Sequence, residues 1–418
     1  MPNWSASMAQ TFEFYTVEPT KAWTDVKRLT NIKSCTINRD ADTETKVSAT
    51  FDVTDMVGEC YIRVYLITNQ NGVIEKHPLG TFLAQTPSSS FDGKSRSVSM
   101  DAYSPLIELK EKSPPIGFYI PKNSDVMENA YNLMNENMRG PISRPAIPST
   151  KLYDDLVSDP NYTWLEFLTY LISAASANIC YKVEYSNEGF FVRTNEEIDL
   201  PNEFEYVQLT DKTTSNDIVY KYTDNENVDH YYCLVDKVIQ YKLDLDEMGR
   251  VLFMPDQDTA SLSPVWTYND DNSSILFPDL NMDHDLYGIP NVVEVIYADA
   301  EHYIESRVVN DDPNSPVSTV ARGREIVQRV INPDIHGNPS QEVVDRYAED
   351  VLSALSSVEY TVSYTHGYCP VRVGDCVRLN YTRAGLKDIK AKVVSQSIRC
   401  ETGCYVSEKA VFTSKLWR

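Results

Sequence analysis

Six histidines, eight cysteines and 61 carboxylates are the side chains from which a hydrolytic or metal-dependent site would have to be built. None of His77, His230, His284, His302, His336 and His366 lies in an H-E-x-x-H motif, and none pairs with a second ligand at helical spacing. His284, between Asp283 and Asp285, reads as part of an exposed acidic loop. Cys35, Cys60, Cys180 and Cys233 are dispersed at strand positions, where a reduced thiol acts as a small hydrophobe. Cys400 and Cys404 have the spacing of a zinc knuckle, but Cys369 and Cys376 are too far apart for the usual finger, and Cys376 alternates with Val377, Leu379 and Tyr381. All four are expected as buried thiols. Asp244–Gly249 opens like a calcium loop but lacks the third ligand, the correctly placed glycine and the terminal glutamate, so it reads as an acidic turn. No G-x-S-x-G, P-loop or G-x-G-x-x-G occurs. With carboxylates this abundant, no one pair stands out for glycoside hydrolysis. Phe118–Pro121 and Trp164 could serve as carbohydrate platforms, though packing inside a core is the simpler account. The expectation is a non-enzyme with no catalytic residue, cofactor or metal site.

The formal net charge of −23 disfavours stable nucleic-acid binding, which needs clustered Lys and Arg on phosphates. The N-terminus lacks a basic segment followed by an apolar core, so no secretory signal is expected. The most apolar stretch, Trp164 to Ile179, is interrupted by Glu166, Thr169, Ser173, Ser176 and Asn178, which argues against a membrane span. A soluble product made in a cytoplasm is expected.

The elements that would position any site are mostly strands. Tyr is abundant, at 27 copies, and alternates with Val, Ile and Thr. Residues 1–22 read as an N-terminal extension, with Trp4, Phe12, Phe14 and Tyr15 as docking side chains. Residues 23–112 alternate throughout, with hairpin turns at Asn71-Gly72 and Asp92-Gly93, as in a small antiparallel barrel or sandwich. Residues 113–205 form an α+β module. It has a helix from Asp125 to Met138 capped by Ser124, and an apolar helix from a capping box at Thr163 and Glu166 to about Ala177. A hairpin turning at Asn187–Gly189 closes the module. Residues 206–339 are β-rich and irregular, with a buried strand at Asn291–Tyr297. Residues 340–418 open with a helix from Gln341 to Leu355, capped by Ser340 and striped by Val344, Tyr347, Val351 and Leu355, and continue as four strands. Between these regions stands N-D-D-P-N-S-P-V-S-T-V-A-R-G-R, Asn310 to Arg324. Pro313 and Pro316 exclude its first half from a sheet ladder, and Arg322-Gly323-Arg324 forms a basic turn.

That loop resembles a signature of the hub proteins of bacteriophage tails and baseplates, and three other segments agree. Asn291–Tyr297 resembles the strand before the signature. Pro78-Leu79-Gly80-Thr81-Phe82 resembles a strand of the family's first barrel, and Pro370-Val371-Arg372-Val373-Gly374-Asp375-Cys376-Val377 a turn in its last. The order barrel, α+β insert, β-rich region, helix plus barrel also fits, from about residue 25 onward. The resemblance implies a predominantly β, α+β fold with two tube-like β-barrels. It also implies a homotrimer whose six barrels form a pseudo-sixfold ring on the hexameric tail tube. The function implied is that of a tail-tip or baseplate hub in the virion. It would adapt the tube or distal tail ring to a threefold tip or spike and form part of the DNA channel, with DNA only in transit. A net charge of −23 per chain would keep DNA from adhering. Wall-digesting members carry an appended peptidase or lysozyme-like domain, which is not expected in a chain whose last barrel strand reaches Arg418. Arg322 and Arg324 are the expected contacts to a neighbouring subunit's acidic surface. The other reading is a tail-tip enzyme or glycan-binding protein acting on the host envelope.

Overall fold

The computed structural model describes all residues except 1, 56–57, 92, 95, 146–150, 153, 174–176, 186–190, 198–206, 210–217, 225–226, 238–240, 256–258, 260–261, 273, 299–302, 334–339 and 418. The fold is predominantly β, of the α+β class. The chain divides into an N-terminal unit, Ala9–Ile37 with Thr43–Gln257, and a C-terminal unit, Asp258–Arg418 with Met1–Met8 and Asn38–Asp42.

The main sheet of the N-terminal unit contains β1 (Ala9–Val17), β2 (Asp25–Leu29), β3 (Ile32–Asp40), β4 (Val47–Val53), β5 (Cys60–Gln70), β6 (Val73–Phe91) and β7 (Arg96–Tyr103), in the order β3-β4-β7-β6-β5-β1-β2. The Asn71-Gly72 turn has φ of 53° and 84°, the paired positive values a tight hairpin requires. Gly93 is also left-handed, at 91°, while Asp92 lies outside the described residues. With 19 residues, β6 spans roughly 60 Å at the usual rise per strand residue. Residues read as an N-terminal extension include β1, which sits inside the sheet between β5 and β2 and buries Phe14. Alternation in so short a stretch does not reveal its partners.

The helical layer holds α1 (Ile107–Lys110), α2 (Val126–Asn137) and α3 (Trp164–Ser173), with the short pair β8 (Tyr119–Ile120) and β9 (Leu156–Val157). Asp125, not Ser124, caps α2: its carboxylate accepts from Glu128 N at 2.8 Å, and a carboxylate is also favoured by the helix dipole. The capping box of α3 forms as expected, with Thr163 N donating to Glu166 and Glu166 N to Thr163 Oγ1. At residue 177, which the sequence placed at the end of that helix, the chain is already in a strand, β10 (Ala177–Tyr185). Its β-branched and aromatic residues find strand partners instead. The helices pack Ala130, Met134, Phe167, Leu168 and Leu171 against β15 (Tyr241–Leu245) and β16 (Val251–Pro255). Phe118 joins this core, its ring 5.0 Å from that of buried Trp164, so these two aromatics are packing groups. A five-stranded sheet orders β11 (Phe191–Glu197), β10, β14 (Asp229–Lys237), β13 (Ile218–Thr223) and β12 (Val207–Leu209), joining strands from both sides of residue 205. The Asn187–Gly189 turn lies outside the described residues.

In the C-terminal unit, β18 (Leu276–His284), β22 (Ser357–Gly367), β25 (Tyr405–Lys415) and β24 (Ile389–Arg399) follow one another across the sheet. β23 (Cys376–Asn380) pairs with β24, and β17 (Trp266–Asn269) runs parallel to β23. A separate sheet has the order β20 (Tyr303–Val309), β19 (Val292–Ala298), β21 (Val327–Ile331). The helix α4 (Thr319–Arg322) precedes β21, and α5 (Gln341–Leu355) packs on this sheet. Ser340 caps α5 as expected, but its buried stripe is Val344, Ala348 and Leu352. Leu355 is 40% exposed, because an i, i+4, i+8 line faces Val293 and Val295 of β19.

Candidate functional site

The segment Asn310–Arg324 is built on two fully buried asparagines. Asn291, just before β19, donates through Nδ2 to the carbonyls of Val317 (3.1 Å) and Arg324 (3.0 Å), and its Oδ1 accepts from Ile326 N at 2.7 Å. Asn310 donates to Ser315 Oγ at 3.0 Å, and its carbonyl accepts from Thr319 N at 2.9 Å. Between them Asp312-Pro313-Asn314-Ser315 closes a turn, with Ser315 N donating to Asp312 O and the Asp312 carboxylate accepting from Asn314 N. Pro at the second position and Asp at the first suit such a turn. Val317 is fully buried beneath it. As expected, the prolines keep the segment out of any described strand.

The basic end is helical, which the sequence reading did not anticipate. Ser318 Oγ accepts from Ala321 N at 3.1 Å and starts α4, while Gly323, at φ 62°, ends it. Arg322 turns back into its own unit. Its guanidinium donates to Ile289 O at 2.8 Å and to Leu286 O at 2.5 Å, so it braces the turn before β19. Arg324 is exposed. Of the two arginines singled out from sequence, only Arg324 presents its head to solvent, and Asn291, which fixes both ends of the segment, was missed. Replacing Asn291 with Ala should destabilise the C-terminal unit by about 2–3 kcal/mol, the cost of leaving buried donors and acceptors unpaired. Amide hydrogen exchange across 312–326 would report the change, and unaltered protection there would refute the clamp.

The other sequence candidates do not converge. His77 contacts Thr68 Oγ1 at 3.2 Å, His230 contacts Asp224 at 2.8 Å, and exposed His284 stacks on Tyr360. His302 and His336 lie outside the described residues, as does the side chain of Cys180. Cys35, Cys233, Cys369, Cys376, Cys400 and Cys404 are buried thiols in no disulfide, and Cys60 is half-buried. Burial, reinforced by Cys400, pushes the Cys404 thiol far up. Among the described residues no three His, Cys, Asp or Glu side chains are grouped to hold a metal ion. The acidic turn holds no ligand geometry either: the Asp246 carboxylate accepts from Met248 N and Arg250 N. Its apex feeds a buried cation. Arg63, 1% exposed, donates to Asp25 (2.7 Å), Trp23 O (3.0 Å), Met248 O (3.5 Å) and Thr81 Oγ1 (2.9 Å).

Among the described histidines, His366 has a catalytic-looking neighbourhood. Its Nε2 lies 3.4 Å from Glu408 and 3.2 Å from Tyr268 OH, and its Nδ1 is 2.7 Å from Gly367 O and 3.8 Å from Cys369 Sγ. Gln396 donates to Glu408 at 2.7 Å, Tyr364 also donates to it, and Arg39 reaches Gln396 at 3.4 Å. Burial alone would lower the imidazole pKa, but Cys369 and Glu408 override it and carry it up to about 10. Burial and then Glu408 hold both tyrosines protonated far beyond their ordinary range. His366, Cys369 and Glu408 are at most 2% exposed, so substrate cannot reach them. The cluster is a closed polar core whose members satisfy one another.

No protein-family model matches the sequence, and no curated protein matches it. Solved structures do. A tail protein from Neisseria meningitidis aligns over 97% of this chain and 97% of its own, at 12% identity and a TM-score of 0.51. The 43 kDa tail protein of prophage MuSo2 from Shewanella oneidensis aligns over 96% and 98%, at 9% identity and a TM-score of 0.48. A prophage tail protein from Listeria monocytogenes aligns over 96% and 94%, at 10% identity and a TM-score of 0.41. The chain has the fold of that Neisseria meningitidis tail protein, shared along nearly the whole of both chains.

Proposed function

We propose that this protein is a structural hub of a phage tail tip or baseplate: a homotrimer, two tube-like barrels per copy, forming a pseudo-sixfold ring. It would join the sixfold tail tube or distal tail ring to a threefold tip or spike and surround the channel through which DNA passes. The observation that carries this reading is the tail-protein fold, which runs through 97% of both chains, so both units take part in the likeness. The rigid, asparagine-clamped segment at 310–324 suits a joint that must hold its shape under load. The excess of carboxylates suits a channel that DNA must leave. We also propose that it is not an enzyme, since the cluster of His366, Cys369 and Glu408, formed among the described residues, is sealed in a core. The mass of the purified chain in solution, its stacking on tail-tube protein, and incubation with peptidoglycan and capsule test this together. A trimer that stacks on the tube and leaves polysaccharide uncut is expected. Depolymerisation lost on changing one carboxylate pair would replace this reading with a tail-tip enzyme.

A further inference from the structure

Among the described residues, β18 and β2 are each bonded on one side only, and these two edges carry opposite charge. β18 pairs with β22 alone and exposes Asp279, Met282 and Asp283. β2 pairs with β1 alone and exposes Val26, Lys27 and Arg28. Such edges offer a row of unpaired amides and carbonyls to another chain. Charge decides which other chain. Two β18 edges would set aspartates against aspartates, and two β2 edges would set cations against cations, both unfavourable. Only β2 against β18 brings opposite charges together, with Val26 (66% exposed) and Met282 (41% exposed) supplying apolar contact.

We propose that β2 of one copy adds to β18 of a second copy, a heterologous strand-to-strand contact. It rests on the multi-copy assembly proposed above and names the surface that makes it. Because the contact joins unlike edges, it propagates from copy to copy and closes only as a ring, whereas like-to-like pairing would stop at two. Asp25 takes no part, since its carboxylate is held by Arg63 and Tyr65. Arg28 already meets Glu13 of β1 at 3.0 Å on its own sheet.

The test uses the full-length chain and sedimentation equilibrium. One variant carries Lys27→Glu with Arg28→Glu, a second carries Asp279→Lys with Asp283→Lys, and a third carries all four changes. Each double variant should weaken self-association by at least about tenfold, and the fourfold variant should recover most of it because the charges are exchanged. Thermal unfolding identifies a double variant that fails to fold. The aspartate pair, which makes no contact with Glu13, keeps the test independent of the Arg28 ion pair. An oligomer whose mass ignores all four changes, or a fourfold variant that stays dissociated, overturns the edge contact and leaves the hub reading standing. A wild-type chain that remains monomeric overturns both.

Discussion

Replacing Arg63 with Met should lower the stability of the N-terminal unit by about 3–5 kcal/mol, the range for removing one partner of a buried pair. The guanidinium is 1% exposed and joins three separate stretches of chain: Trp23–Asp25, Thr81 of β6 and Met248 in the turn before β16. Methionine fills the volume but leaves the Trp23 carbonyl without its donor and the Asp25 carboxylate with Tyr65 but no counter-charge. The Met248 carbonyl keeps Trp23 Nε1 at 2.6 Å and Thr81 Oγ1 at 2.9 Å, so the turn itself should survive. Arg63→Lys retains the charge but cannot span the fork of acceptors, and should recover only part of the loss. Calorimetric unfolding of the three proteins checks this, and equal midpoints for wild type and Arg63→Met would refute it.

The second large effect is expected in the core of the C-terminal unit, and it depends on pH. The folded-state pKa of His366, about 10, lies above its ordinary 6.5, so its contribution is complete below pH 6.5 and is lost as pH rises toward 10. The sign follows from proton count: across that window the folded state holds a proton that the unfolded state has released. Glu408→Gln removes the carboxylate that Gln396, Tyr268 and Tyr364 donate to, and leaves a buried imidazole without a counter-charge. A loss of about 3 kcal/mol or more is expected at neutral pH, together with a flattening of the decline between pH 6.5 and 10. Denaturant midpoints measured across that range distinguish the two proteins. If the Gln variant kept the wild-type alkaline slope, another group would be responsible.

Local signals carried much of the fold into the sequence. Asn71-Gly72, the Thr163–Glu166 box and Ser340 before α5 each announce themselves, because a turn or cap is decided by residues within reach of one another. Pairing is not announced. Nothing in Trp266–Asn269 points to Cys376–Asn380 as its parallel neighbour, because that choice is made by the surrounding core. Burial of ionisable side chains was equally hidden. Arg63 stands in a run of strand residues like any solvent-facing arginine, and His366 lies in no motif, so their neighbourhoods exist only after folding. The segment at 310–324 was recognisable by its prolines and glycine, yet the residue holding it, Asn291, lies outside it and looks like an ordinary residue before a strand.

The position of β25 bears on how the chain is made. Tyr405–Lys415 is translated last among the described strands but sits between β22 and β24, bonded to both along most of their length. Until it leaves the ribosome, those two strands each present an open edge rich in Val, Tyr and Ile. Assembly of the C-terminal unit therefore waits for this last described strand, is governed by closure of distant segments and is slow for that reason. The nascent chain passes through an interval in which it is prone to aggregate or to need a chaperone, and slowing translation over residues 357–404 would lengthen that interval.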